Sequence, residues 1–359
     1  MSKYEGMRWF KCDLHVQTPQ EQHWRDAATK IERTDTETRK VEIARTYLRR
    51  CHEVGLEVIG VTDHNLATRA QDSFIHFLRQ ENRFVAEELG REMITILPGF
   101  EITADVGTGV HVLAVFDRDT ELEVLDGRLA SLGLPFDNRF TSDGTPKPTC
   151  KHLSEILKEI QDRDEHAGIV IAAHPFSGPG LLNNDVCENW LQQEEFTNPD
   201  LLCMELAKER SKMSPGFQKL LEAGEDCDPL WRRKRSIACI LSSDAYRLQP
   251  DPNDPGNHLG YRHTWIKMSK PTIEALRQAF LDYDSRIAFG NESPDSLRRH
   301  GRLESFSIRG ASYLANQEIH FAPGLTCIIG GRGSGKSSLV EYLRFALRRD
   351  QGTSGSAYA

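Results

Sequence analysis

The stretch Lys11-Cys12-Asp13-Leu14-His15-Val16-Gln17-Thr18, closing at His23, follows the short apolar run Trp9-Phe10 and reads as the end of a first strand. Side chains alternate across an extended backbone, so Asp13 and His15 are expected on one side of it. Such a cluster gains weight because the rest of the chain repeats it: an apolar run, then a side chain able to ligate a metal.

Val58-Ile59-Gly60-Val61 runs directly into Thr62-Asp63-His64. Met93 to Leu97 leads to a turn at Gly99-Phe100-Glu101, and the run Val110 to Phe116 carries His111 inside it. Gly168 to Ala173 ends in His174-Pro175, Leu201 to Met204 ends in Glu205, and Ser236 to Leu241 ends in Ser243-Asp244. Between these runs lie segments of helical period. One spans 38–55, with Val41, Ala44, Leu48 and Cys51 in phase and Gly55 as its stop. Others cover about 69–90, 151–162 and 272–283, the last after a strand at Thr264 to Met268. Residues 133–150, rich in Gly, Pro, Asp and Thr, read as a surface loop. Continuous apolar strands alternating with helices predict an α/β protein with a parallel sheet covered by helices. A doubly wound sheet gathers ligands at one switch point, whereas a (β/α) barrel brings all its strand ends to one face. Ligand-type residues after at least five strands favour the barrel.

Hydrolysis of a phosphate ester near neutral pH needs a strong nucleophile and neutralised phosphoryl oxygens, and divalent metals supply both. The donors required are neutral His and ionised Asp or Glu at converging positions. Asp13, His15, His23, His64, Glu101, His111, His174 and Asp244 are the candidates. Taken singly, each has a structural alternative, such as Asp63 capping a helix or His174-Pro175 forming a turn.

Taken in order, Asp13-Leu14-His15, Thr62-Asp63-His64, Gly99-Phe100-Glu101, His111-Val112-Leu113, Ala173-His174-Pro175 and Ser243-Asp244-Ala245 resemble the motifs of the PHP (polymerase and histidinol phosphatase) family. The resemblance covers about residues 8–290 and implies a distorted (β/α)7 barrel with phosphoesterase activity and two or three ions of Zn, Mn or Fe. It implies that His15, Glu101 and Asp244 hold one metal, that Glu101 bridges to a second completed by His111 and His174, and that His23 and His64 serve a third. Asp13 would orient His15, and Asp13, His15, Glu101 and Asp244 would form the catalytic set. Two positions depart from the family pattern. Gln17 stands where the first motif usually has a second His, and Tyr246 where the last motif usually ends in His. An amide oxygen and a phenol are poor ligands for a borderline-soft ion, so two metals are expected, with Mn or Fe at least as fitting as Zn.

From about residue 301 the character changes. Arg302 to Ile308 alternates as a half-exposed strand, Glu318 to Phe321 is a second short strand, and Pro323-Gly324 turns into the apolar run Leu325 to Ile329. Gly330-Gly331-Arg332-Gly333-Ser334-Gly335-Lys336-Ser337 fits G-x-x-x-x-G-K-[ST], followed by Ser338 and a helix to about Arg348. Such a loop wraps phosphates with backbone N–H groups, reaches them with Lys336 and ligates Mg²⁺ through Ser337. ATP with Mg is therefore the expected ligand. Residues 302–348 resemble the N-terminus of SMC- and RecF-like ABC ATPases. No signature loop or acidic strand of that ATPase follows before Ala359, so ATP turnover is not expected from these residues alone. The missing half is expected in a longer chain or a partner chain, and a second copy of this chain is a further candidate partner. A PHP domain ahead of such an ATPase resembles the TrlF-like group of bacterial proteins, associated with DNA metabolism and defence against phage. The organisation expected is a phosphoesterase domain at 1–290, a linker at 291–300, an ATPase segment at 301–350 and a disordered tail at 351–359.

The composition bounds these readings. The chain has 359 residues, 38% of them hydrophobic, and a net charge of −8. A polycation is excluded, so nucleic acid, the expected substrate, would be held by metals or local patches. Trp231-Arg232-Arg233-Lys234-Arg235 and Arg298-Arg299-His300-Arg302 are such basic runs, and Trp9 and Trp24 lie near the first motif. No apolar run spans a bilayer and no export signal is present, so a cytoplasmic protein with eight reduced cysteines is expected. The function expected is a metal-dependent nuclease using metal-activated water and regulated by an ATP-binding module. The alternatives are a small-molecule phosphatase and a non-catalytic barrel that binds or regulates.

Overall fold

A computed structural model describes residues 6–32, 34–162, 165–296, 301–322 and 325–347. Contacts divide the chain into a unit spanning Trp9–Pro294 and a second carrying the residues from Asp295 onward. The tail at 351–359, the Pro323-Gly324 turn and Arg298, Arg299 and His300 lie outside the described residues.

In the first unit the elements run β1 (Arg8–Val16), α1 (Glu37–Glu53), β2 (Val58–Val61), α2 (Phe74–Leu89), β3 (Thr95–Ala104), β4 (Val110–Val115), α3 (Leu122–Ser131), α4 (Leu153–Gln161), β5 (Ile169–Ala172), α5 (Asn189–Thr197), β6 (Cys203–Glu205), α6 (Pro215–Glu222), β7 (Ala238–Ile240), β8 (Thr264–Met268), α7 (Ile273–Leu281), α8 (Tyr283–Arg286) and β9 (Ile287–Ala288). The helices start and stop where local chemistry dictates. The Thr36 side chain accepts from the amide of Arg39 to open α1, and Ser73 accepts from Ile75 to open α2. Gly90 closes α2 in the left-handed region. Ile43, Ala44, Tyr47, Leu48 and Cys51 form the buried stripe of α1.

Among the described residues nine strands form one sheet in the order β7-β6-β5-β4-β3-β2-β1-β8-β9. It curves until it nearly closes: Leu241, just past β7, donates to the Thr264 hydroxyl at the start of β8 at 2.7 Å, and that hydroxyl donates back to the Leu241 carbonyl at 2.8 Å. Strands β2 and β5 are buried throughout, as strands between two packed layers must be. Leu14, Val58, Leu97, Leu113, Ile171 and Ile240, from six strands, meet in one apolar cluster, while Ile59, Phe100, Ala114 and Val170 pack in another with α1 to α5.

The sheet is mixed rather than parallel. Strand β4 runs antiparallel to both β3 and β5. Only residues 105–109 join β3 to β4, far too few for a crossover helix, so the chain must double back. Gly99-Phe100-Glu101 is correspondingly no turn but the middle of β3. A Cβ at Gly99 would stand 2.3 Å from the Ala114 carbonyl oxygen, which explains the glycine by the close approach of β4. The 133–150 segment is less superficial than its composition suggests, since Arg139 is fully buried against Asp126 at 2.6 Å.

In the second unit, β10 (Ser305–Ile308) and β11 (Gln317–His320) form an antiparallel hairpin and α9 (Lys336–Ala346) follows the glycine-rich loop. Leu325 to Ile329 does not form the expected strand: no strand among the described residues pairs with it, and Leu325 and Ile329 are 85% and 91% exposed. A continuous apolar run becomes a strand only between neighbours that satisfy its backbone.

All eight cysteines are free. No helix among the described residues is long and apolar enough to cross a membrane.

Candidate metal centre

Glu101 is the hub. It lies in β3, buried, with both carboxylate oxygens engaged. Oε2 is 3.0 Å from His15 Nε2 and 3.4 Å from His64 Nε2, while Oε1 is 2.6 Å from His111 Nδ1 and 3.5 Å from His174 Nε2. Each His arrives from a different element. His15 is in β1, His64 bridges to Glu101 just past β2, His111 opens β4 and His174 follows β5. His111 begins its strand instead of ending it, yet it reaches the same end of the sheet because β4 runs backwards, with Thr103 opposite it. Asp244, past β7, puts Oδ1 3.4 Å from His15 Nε2.

Three groups of side chains offer atoms within 4.8 Å of one another: His15, Glu101 and Asp244; His64, Glu101 and His111; and Glu21, His23 and His64. The first is the set expected from sequence. The second takes His64 where His174 was expected, although His174 still borders Glu101. The third gains Glu21, a buried carboxylate that sequence reasoning missed, whose Oε1 is 2.9 Å from His23 Nδ1 and 3.4 Å from His64 Nδ1.

The loop after β1 is pinned into place. Asp63 accepts from the Thr18 amide and hydroxyl, each at 2.6 Å, so it anchors a loop rather than caps a helix. The Gln17 amide donates to the Ala245 carbonyl at 3.1 Å, and Tyr47 donates to the Gln17 carbonyl at 3.2 Å. The Gln17 side chain donates to Glu101 Oε2 at 3.2 Å and lies 3.3 Å from His15 Nε2. It therefore borders the first group without being an acidic or imidazole donor. Tyr246 sits edge-on to His23, with ring centroids 6.2 Å apart.

Asp13 does not orient His15. The pairing of β1 with β2 slips between Asp13 and Val16, and this bulge resets which side chains share a face. Asp13 instead accepts from the Ser243 amide at 3.0 Å. Glu205, at the end of β6, takes His15 Nδ1 at 2.7 Å. It is a second functional residue that sequence reasoning passed over, although the strand-end rule that found the others applies to it. A carboxylate on the far nitrogen of a ligating His fixes its ring and raises its basicity.

Electrostatics follow from burial and this crowding. Burial opposes ionisation of Glu101, but His64, His15 and His111 outweigh it and hold its carboxyl well below the usual range. Burial alone would lower His15, yet Glu205, Glu101 and Asp244 raise it well above its ordinary value. His64 is likewise pushed up to about 9, against its burial, by Glu101 and Glu21. Burial raises Asp13 to about 7 despite the Ser243 bond and the charge of His15. His174 and Asp244 both adopt positive φ, +27° and +48°, where a non-glycine residue costs about 1–3 kcal/mol.

The donor set fits divalent ions. Gln17 Oε1, His64 Nδ1 and Asp244 Oδ1 are buried and hydrogen-bond nothing among the described residues. A buried polar atom left so costs about 1–3 kcal/mol, which a cation among His15, Glu101 and Asp244 would relieve at Asp244 Oδ1, and one among Glu21, His23 and His64 at His64 Nδ1. Ligation needs neutral imidazole, and His15, His64 and His174 are all raised. Loading at pH 7 is therefore expected to expel at least one proton, and affinity is expected to climb as pH rises toward 9. Calorimetric titration with Mn²⁺ in buffers of different ionisation enthalpy measures this directly. A constant affinity from pH 7 to 9 would mean that these histidines are not ligands.

Other sequence candidates have structural roles. Arg233 is buried and donates to the carbonyls of Phe196 and Leu201, and Arg232 donates to the carbonyls of Glu225 and Cys227. Trp24 is buried against Tyr47 and donates to Thr29 at 3.0 Å, and Trp9 is buried beneath Lys267.

In the second unit, Gly333 and Gly335 take positive φ and α9 opens at Lys336. Lys336 Nζ curls onto the carbonyls of Gly330 and Gly331 at 2.6 and 2.7 Å, and Ser334 donates to Gly331 at 2.9 Å. Residues 305–357 match the family model of an AAA domain, which supports an ATP-binding module in this part of the chain. No curated protein matches the chain.

Proposed function

We propose that the Trp9–Pro294 unit is a metal-dependent phosphoesterase of the PHP kind, acting on nucleic acid, and that the C-terminal segment binds ATP with Mg and regulates it. One observation carries the hydrolytic reading: both oxygens of Glu101 are shared by four histidines from four elements. A carboxylate shared in this way is what a pair of neighbouring cations requires. His15, Glu101 and Asp244 would hold one ion and His64, Glu101 and His111 the other, with His174 beside the second. Bound there, Mn, Fe or Zn would supply an activated water and neutralise phosphoryl charge. The chain's own part is to fix that geometry. Glu205 holds the His15 ring, Asn257 donates to the Asp244 carboxylate at 3.1 Å, and Asp63 ties down the loop that carries Glu21 and His23.

The ATP-binding match favours nucleic acid over a small phosphate ester, because ATPases of the SMC kind act on DNA. It also suits a place in cytoplasmic DNA repair or phage defence. The exposed Leu325 and Ile329 would be covered by the remaining strands of the ATPase, from further chain or a partner.

The test is to purify the chain, measure bound metal, and assay DNA, RNA and a generic phosphomonoester with added Mn²⁺. Nuclease activity lost in His174→Ala is expected. Cleavage of the monoester alone would point to a small-molecule phosphatase. A metal-free, inert protein would leave a binding module.

A further inference from the structure

Two cavities lead away from the metal centre. The nearer, about 310 Å³, has His174 in its wall together with Phe176, Lys208 and Phe217. The farther, about 570 Å³, is lined by Leu220, Trp231, Lys219, Asp226 and Asp228. Ser214 and Phe217 belong to both linings, so the cavities adjoin at one aromatic ring. That ring packs on Phe176 with centroids 4.3 Å apart, while 37% of Phe217 stays exposed.

We propose that this groove is the channel for a single strand of nucleic acid, with Phe217 as the surface on which a base stacks and Lys208 as the cation for the adjoining phosphate. The proposal rests on the phosphoesterase reading, because it is His174 that joins the groove to the reacting end. Phe176 backs Phe217, so the exposed ring is held in place before a base arrives. Lys208 and Lys219 form no hydrogen bond or ion pair among the described residues, and Lys208, in the nearer cavity away from Asp226 and Asp228, is the cation left for a phosphate. Asp226 and Asp228 in the farther cavity repel phosphate and accept from base amino groups, so that cavity takes a base. A paired base has both faces covered by its neighbours and cannot lie on Phe217, so the occupant is single-stranded.

The experiment uses the purified full chain and a fluorescent oligodeoxyadenylate with phosphorothioate links that resist cleavage, read by anisotropy. The single strand is expected to bind at least tenfold more tightly than a duplex of the same links. Phe217→Ala is expected to weaken it about tenfold, and Phe217→Tyr to restore it. Lys208→Ala is expected to reduce the salt dependence by about one counterion. Equal affinity for duplex, or an unchanged Phe217→Ala variant with unaltered circular dichroism, would overturn the channel. Hydrolysis of a phosphomonoester without oligonucleotide binding would overturn the channel and leave the phosphoesterase. Binding that depends on Phe217 in a protein that hydrolyses no ester would support the channel and overturn the phosphoesterase.

Discussion

Glu101→Gln is expected to strip the chain of tightly held divalent metal and to lower ester hydrolysis by roughly a thousandfold or more. The side chains are nearly isosteric, so packing in β3 is preserved and the loss is one of charge. Glutamate offers an anionic oxygen to each pair of histidines; glutamine offers one neutral oxygen and a donor NH₂ that opposes any cation. Metal stabilisation of a reacting phosphoryl group amounts to several kcal/mol, and each 1.4 kcal/mol or so is a factor of ten. The metal-free protein supplies an independent readout. His64 stands at about 9, against its burial, largely because of Glu101, so in the variant its NMR titration is expected to move down toward the ordinary range. A variant that keeps its metals and its activity would sink the shared-carboxylate reading.

What the sequence revealed of this site, and what it hid, follows from how each feature is encoded. Apolar runs ending in Asp, Glu or His are local patterns, so His15, His64, His174 and Asp244 could be picked out and are brought together. Strand direction is not in a periodicity. The short 105–109 connection was the available signal that β4 turns back, and it also explains how His111 reaches the site from the start of a strand. The bulge in β1 was invisible, since it arises from pairing with β2, and it undid the assignment of Asp13 to His15. Glu205 obeyed the strand-end rule and could have been found. Glu21 could not: a carboxylate in a polar loop announces nothing until Asp63 and Thr18 fold that loop inward. Leu325 to Ile329 shows the converse, a strand pattern that stays irregular without neighbours.

Lys336→Ala is expected to weaken binding of ATP with Mg by about a hundredfold while leaving bound metal at the Glu101 centre unchanged. In the free loop the ammonium is already satisfied by the carbonyls of Gly330 and Gly331. Nucleotide binding exchanges these bonds for charge-assisted ones to phosphate, a difference of about 2–3 kcal/mol. The backbone N–H groups of the loop survive the substitution, so residual binding persists. Metal at Glu101 is untouched because none of its donors belongs to the unit that carries Lys336. Regulation then becomes separable from chemistry. If ATP alters hydrolysis of an oligonucleotide in the wild type, that response should vanish in Lys336→Ala while the rate without ATP stays the same. A variant with normal ATP affinity would mean the loop is no phosphate cradle. Loss of the ATP-free rate would mean the two units cannot be treated as chemistry and control.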